Sequence, residues 1–152
     1  MAESTKILNN LRRQCSRREY CSGDILKKAV KALDGDKEQA QKILNVLVEE
    51  KYVDDLRYAE AFARDKSSIA GWGVTKIRYM LSAKGIDREL ISAALEEIDQ
   101  RKADDRLVKL IENKKRSLKD DPQARMKLLR FALGRGYTYD EISGVLKDYE
   151  EL

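Results

Sequence analysis

TKIRYMLSAKGIDRELISAAL (residues 75–95) and MKLLRFALGRGYTYDEISGVL (residues 126–146) align without a gap at a shift of 51 residues. Lys76/Lys127, Gly85/Gly136, Ile91/Ile142, Ser92/Ser143 and Leu95/Leu146 are identical pairs. Ile43, Val46 and Leu47 give the same Ile-x-x-(Ala/Val)-Leu ending a third time, and Ile25 takes the position of Ile77 after a change in length. Composition alone produces chance matches in helices rich in Lys, Leu and Glu, but it does not place a glycine at a fixed distance before the same apolar ending. The repeat therefore predicts an all-α chain of three tandem three-helix units, at residues 1–52, 53–103 and 104–152. Units that each meet only their neighbours stack into an elongated, curved body.

Outward from the repeat, the apolar residues keep a helical period. Ile43, Leu44, Val46, Leu47 and Tyr52, then Tyr58, Ala61 and Phe62, then Ile77, Met80 and Leu81 recur at three and four, as do Leu107, Leu110, Ile111 and Leu118. Such stripes read as core. Start signals divide them into about nine helices of some 10 to 16 residues, because a side-chain oxygen ahead of an apolar run satisfies N–H groups that the first turn leaves free. Thr138 with Glu141 and Asp36 with Gln39 read as capping boxes, Asp121 before Pro122 as a cap with proline in the first turn, and Ser22, Asp54 and Asp87 as simple caps. Stops are expected near Gly35, Gly71, Gly85 and Gly136, where glycine takes the left-handed conformation at low cost.

Composition narrows the function. The chain has 152 residues, 42% of them hydrophobic, enough for a packed core, and its 38% charged residues with a single proline suit exposed helices. Histidine is absent, which removes the commonest general base, the serine and cysteine triads and most catalytic zinc sites. Cys15 and Cys21 cannot complete a four-ligand zinc set and read as ordinary thiols. No stretch reaches the length of a membrane span and the start MAESTKILNN lacks a signal peptide's apolar core, so the expectation is a cytoplasmic protein with no catalytic residues, metal or cofactor. No Walker-type loop or dinucleotide fingerprint is present.

Charge distribution says more than the net +4. Residues 106–135 carry ten basic and three acidic side chains, residues 64–88 six and two, and residues 136–152 a single lysine against five acids. Lys114, Lys115 and Arg116 form the densest run, and Lys127 and Arg130 share a face of the following helix. Runs of this kind are commonly solvated faces, but two neighbouring helices with unbalanced positive charge suit an anionic partner. Arg57 and Arg64 lie seven apart on one face of the helix that starts near Asp54, with Lys66 near its end. Arg57 has an alternative use in pairing with Asp54, and Lys66 in facing a helix C-terminus. Trp72, between two glycines and just before Lys76 and Arg78, suits the junction of packed helices first, and a stacked base or a partner pocket second. The carboxylate pairs Asp54/Asp55, Asp104/Asp105 and Asp120/Asp121 fit helix starts better than a two-metal centre, since adjacent helical side chains diverge by about 100°.

Tyr52-Val53-Asp54-Asp55-Leu56-Arg57-Tyr58-Ala59-Glu60-Ala61-Phe62, then Gly71-Trp72-Gly73-Val74-Thr75-Lys76-Ile77-Arg78, then Lys84-Gly85-Ile86, resembles the RecX family of bacterial recombination regulators. The opening Ser16-Arg17-Arg18-Glu19-Tyr20 and the threefold repeat extend the resemblance over nearly the whole chain. The chain departs from that pattern at Lys51, where a glycine commonly precedes the aromatic, at Val74, where proline is common, and at Met80, where a polar residue is usual. The resemblance implies a protein that lodges in the groove of a RecA-type recombinase filament on single-stranded DNA, restrains its ATPase and strand exchange, and has some DNA affinity of its own; a monomer is the separate expectation. The candidate contacts are Arg57, Arg64, Lys66, Trp72, Lys76, Arg78, Lys84, Lys114, Lys115, Arg116, Lys127 and Arg130. The rival readings are a stand-alone nucleic-acid-binding helical protein and a metal enzyme built on the acidic pairs.

Overall fold

The structure, a computed structural model, describes residues 2–150. Among these residues the chain is all helical, with nine α-helices and no strand. They are α1 (Ala2–Arg17), α2 (Ser22–Ala32), α3 (Lys37–Glu49), α4 (Asp55–Ser68), α5 (Val74–Ala83), α6 (Arg88–Glu96), α7 (Gln100–Ser117), α8 (Ala124–Gly134) and α9 (Tyr139–Glu150). Lengths run from nine residues in α6 to eighteen in α7, a wider spread than the cap spacing predicts. Packing groups the described residues into two compact units, one holding residues up to Ala61 with Leu81–Ile91, the other Phe62–Met80 with the chain from Ser92 onward.

In the first unit Leu11, Ile25, Ala29, Ala40, Ile43, Leu44, Leu47 and Val53 form a core among α1, α2 and α3. The apolar stripe read from the sequence in α3 faces it. In the second unit Leu107, Ile111, Leu128, Ala132, Tyr137, Ile142 and Leu146 join α7, α8 and α9 in a second core. Ile142 and Leu146, the repeated closing residues, are buried there as Ile43 and Leu47 are in the first core. The repeat in the sequence is thus a repeat of core positions.

The expected stops hold: Gly35, Gly71, Gly85 and Gly136 have φ of 94°, 70°, 80° and 96°. Lys51 shares that conformation at φ 65°, which explains why a glycine suits its place; an L-residue there costs about 1 kcal/mol or more. Lys51→Gly is expected to raise stability by about 0.5 kcal/mol in urea denaturation, part of the relieved strain being offset by the freer unfolded chain. Val74 is the first residue of α5, a place where proline's missing N–H has no cost.

The capping expectations are met at some helices and corrected at others. Thr138 and Glu141 form the full reciprocal box, with Thr138 N–H donating to Glu141 Oε1 at 2.8 Å and Glu141 N–H to Thr138 Oγ1 at 3.1 Å. Asp36 accepts from Gln39 N–H at 3.1 Å, and Asp54 from Arg57 N–H at 3.1 Å. Ser22 is not the cap of α2. It is the helix's first residue, and the carboxylate of Asp55, 33 positions away, accepts from its N–H at 2.7 Å and its hydroxyl at 2.6 Å. Asp104/Asp105 do not start a helix either; Asp99 caps α7, accepting from the N–H groups of Arg101 and Lys102 at 3.0 and 3.3 Å, and the pair sits inside the helix, exposed. Asp121 accepts from Gln123 N–H at 2.8 Å and so closes a turn around Pro122 before α8 begins at Ala124. Asp55→Ala, which orphans two donors at the start of α2, is expected to cost about 2 kcal/mol, whereas Asp104→Ala changes stability by less than about 0.5 kcal/mol. Parallel thermal melts separate the two.

Candidate functional site

The Gly71-Trp72-Gly73 segment sits within the second unit, and backbone chemistry holds it there. Gly73 N–H donates to the Arg135 carbonyl at 2.8 Å, and Thr75 N–H to the Gly136 carbonyl at 3.0 Å. The Tyr137 hydroxyl donates to the Gly71 carbonyl at 3.0 Å, and the Arg135 guanidinium to the Ala70 carbonyl at 3.3 Å. A Cβ on Gly73 would overlap the Gly136 carbonyl group, and one on Gly136 would overlap the Cβ of Lys76. Gly73 therefore serves close backbone approach, whereas Gly71 serves the left-handed turn at φ 70°. Tyr137 and Arg135 were not legible as partners of this loop, because the residues lie 66 and 65 positions from the groups they bind.

Trp72 is half-buried, edge-on to Phe62 with centroids 6.2 Å apart. Lys66 Nζ lies 4.7 Å and Lys76 Nζ 4.3 Å from its ring centroid. The packing role preferred for Trp72 is thus present, and the two lysines are drawn to the ring's π-density by cation–π attraction of some tenths to about 1 kcal/mol each at such exposure. Phe131 gathers cations in the same way, with Lys114 Nζ and the Arg135 guanidinium each 5.2 Å from its centroid. Both clusters fix positive charge beside an aromatic face. Arg106 donates to the buried Ser67 hydroxyl at 2.6 Å in the same unit.

The remaining cations of the second unit stand in solvent. Arg64 lies 4.0 Å from Asp65, with its side chain 71% exposed. Arg78, on α5, reaches Ser92 Oγ at 3.4 Å. Lys115, Arg116 and Arg130 are exposed, and Lys127 pairs with Asp121 at 2.5 Å. That lysine and the Gln123 N–H hold Asp121 below the ordinary carboxylate range. Tyr79, 71% exposed one residue beyond Arg78, is an unforeseen member of this surface; its only signal was an apolar period that it breaks.

Two candidates lie in the first unit and are held by their own unit. Arg57 does not pair with Asp54 through its side chain, because that carboxylate turns back to the backbone. Its guanidinium instead donates to Glu19 at 2.5 Å and to the carbonyls of Lys51 and Tyr52 at 3.1 and 3.2 Å, tying down the strained turn at Lys51. Lys84 donates to Asp24 at 2.9 Å. Burial pushes the Asp24 carboxyl up, but the hydrogen bond and charge of Lys84 outweigh it and leave Asp24 below its usual value. A lowered acid contributes stability above its unfolded value and loses it as pH falls through the folded value. Lys84→Met is therefore expected to cost about 0.5 kcal/mol at neutral pH, small because the pair is partly exposed, and the gap from the parent should close once acid protonates Asp24. Urea melts between neutral pH and strong acid measure it.

Among the described residues no three His, Cys, Asp or Glu side chains gather as a metal site, and no helix is long and apolar enough to cross a membrane. Comparison with known proteins places the architecture. Residues 54–95 match the model of the second three-helix domain of RecX, and residues 103–146 that of the third, together more than half of the chain. The chain belongs to the RecX family. Both matched spans close on the repeated leucine, Leu95 in one and Leu146 in the other.

Similar family members carry the name regulatory protein RecX. The one from Clostridium botulinum strain Eklund 17B is 34% identical over 117 residues, 74% of this chain and 54% of its own length. The one from Pectobacterium atrosepticum is 29% identical over 93% of this chain and 87% of its own length. The chain spans about half the length of the first of the curated relatives it matches. A crystal structure of RecX from Lactobacillus salivarius superimposes with a TM-score of 0.87 at 22% identity, covering 99% of both chains. A second crystal structure of regulatory protein RecX gives 0.85 at 24% identity over 96% of this chain and 72% of the other. At that identity these two likenesses speak for the fold.

Proposed function

We propose that this RecX-family chain is a non-enzymatic regulator that binds a RecA-type recombinase filament on single-stranded DNA and restrains its ATPase and strand exchange. The observation that carries the reading is the combination of regulatory-family membership with a second unit whose cations Arg64, Arg78, Arg116 and Arg130 all stand in solvent. A filament groove offers protein surface and phosphates side by side, so several weak contacts made at once combine beyond any single one. The tandem units at residues 53–103 and 104–152 supply those contacts from several places along the chain. Lys114, Lys115, Lys127, Lys66, Lys76 and Trp72 complete the second unit's contact set, with Arg57 and Lys84 of the first unit acting mainly through the turn and helix they hold.

Against the metal-enzyme alternative, Asp54, Asp55 and Asp121 are occupied in holding helix starts and turns, which leaves it the exposed Asp104/Asp105 pair inside α7. The test is ATP hydrolysis by a recombinase on single-stranded DNA with increasing amounts of the protein, alongside binding to free recombinase, bare DNA and coated DNA. Hydrolysis is expected to fall, and coated DNA to be preferred. Equal affinity for bare and coated DNA with unchanged hydrolysis at saturation would leave the stand-alone nucleic-acid-binding reading in its place.

A further inference from the structure

The first unit carries a groove that the cationic surface of the second does not explain. It lies between α2 and α3 and has a volume of about 600 Å³. Leu26 and Val30, one turn apart on α2, make its floor and pack onto the first core from their half-buried positions. Lys27 and Lys31, also one turn apart on α2, stand along it, and Lys37 and Gln41 complete it from α3. All three lysines are exposed, and none forms an ion pair with a described carboxylate.

We propose that this groove docks an acidic amphipathic helix of a partner protein. An aliphatic floor gains free energy only from apolar side chains, and an i, i+4 pair such as Leu26 and Val30 matches apolar residues one turn apart on a helix laid alongside. Lys27 and Lys31 have the same spacing and meet carboxylates that repeat at one turn, while Lys37 meets a carboxylate from the α3 side. The long lysine stems extend the apolar walls and keep the ammonium groups at the rim, where like charges side by side favour an anionic visitor. Nucleic acid fits poorly, since the lining has no aromatic ring to stack on and no arginine to fork onto a phosphate. A membrane surface fits poorly as well, because the apolar residues form a floor and not a protruding face.

The proposal stands apart from filament binding by the second unit. The probe is a capped helical peptide with leucines one turn apart and glutamates on the flanking positions; its controls are a scrambled sequence and a version with lysine for each glutamate. In amide-resolved NMR titration of the full chain, the peptide should shift signals of residues 26–31 and 37–41 and leave α7 and α8 unmoved. Lys27→Glu with Lys31→Glu and Lys37→Glu should weaken it at least tenfold with unchanged helicity, as should raising the salt to about 1 M, where screening acts within a few Å. Leu26→Ala should weaken it separately, with the charges intact. Equal binding of the scrambled peptide, or no shift at those residues, would overturn the proposal. So would an oligothymidylate or anionic vesicles moving the same signals more strongly than the peptide.

Discussion

Gly73→Ala should lower stability by about 3 kcal/mol in urea denaturation, although it adds a single methyl group. Alanine at this position faces no left-handed φ, so the whole effect is steric. The new Cβ overlaps the Gly136 carbonyl group, and relief of that overlap pulls apart the two backbone hydrogen bonds by which residues 73 and 75 hold residues 135 and 136. Both partners lie inside the second unit, so the loss falls on its cooperative unfolding. Gly85→Ala is the control. Gly85 has φ 80° and nothing near its missing side chain, so it should cost only the conformational strain of about 1 to 2 kcal/mol. Equal losses at the two positions would show that the Gly-x-Gly loop is held by something other than close approach. The same hydrogen bonds make removal of residues 104–152 a poor test of function, because it strips the 71–73 loop of its partners as well as removing charges.

Replacing Arg64, Arg78, Arg116 and Arg130 together by alanine should weaken filament binding by about 100-fold near physiological salt, with helicity unchanged. On a single strand every phosphate that goes without its arginine lowers the slope of log affinity against log salt by about 0.7, so losing four should lower it by about 3. These four are chosen because their side chains stand in solvent, and exposed substitutions seldom change stability by more than about 0.5 kcal/mol. Lys114 is spared because it stacks on Phe131, and Lys127 because it pairs with Asp121. The measurement is a salt series of binding to recombinase-coated DNA, with ATP hydrolysis in parallel. Unchanged affinity and slope would assign these arginines to a solvated face and move the binding to another surface.

Much of this protein is written locally. The helical period of residues such as Ile43, Leu47, Ile142 and Leu146, the glycine stops and the Thr138/Glu141 box are decided by neighbours within one or two turns, and these are the features the sequence made legible. The cationic segments were legible too, as totals. The uses of particular side chains were not, because they depend on groups far along the chain. Asp55 has the local signature of a start signal for its own helix and serves another's, since the Ser22 N–H lies within its reach in space. Arg57 finds Glu19 and two carbonyls in preference to the nearby Asp54, because a short carboxylate at a helix start is satisfied first by its own backbone. The deepest case is the pair Gly85 and Gly136, identical in the repeat and equal in φ preference. Local physics determined that glycine is favoured at both to turn the chain; only tertiary packing decided that Gly136 also lies against Lys76 and Gly73, where no side chain fits, while Gly85 faces open space.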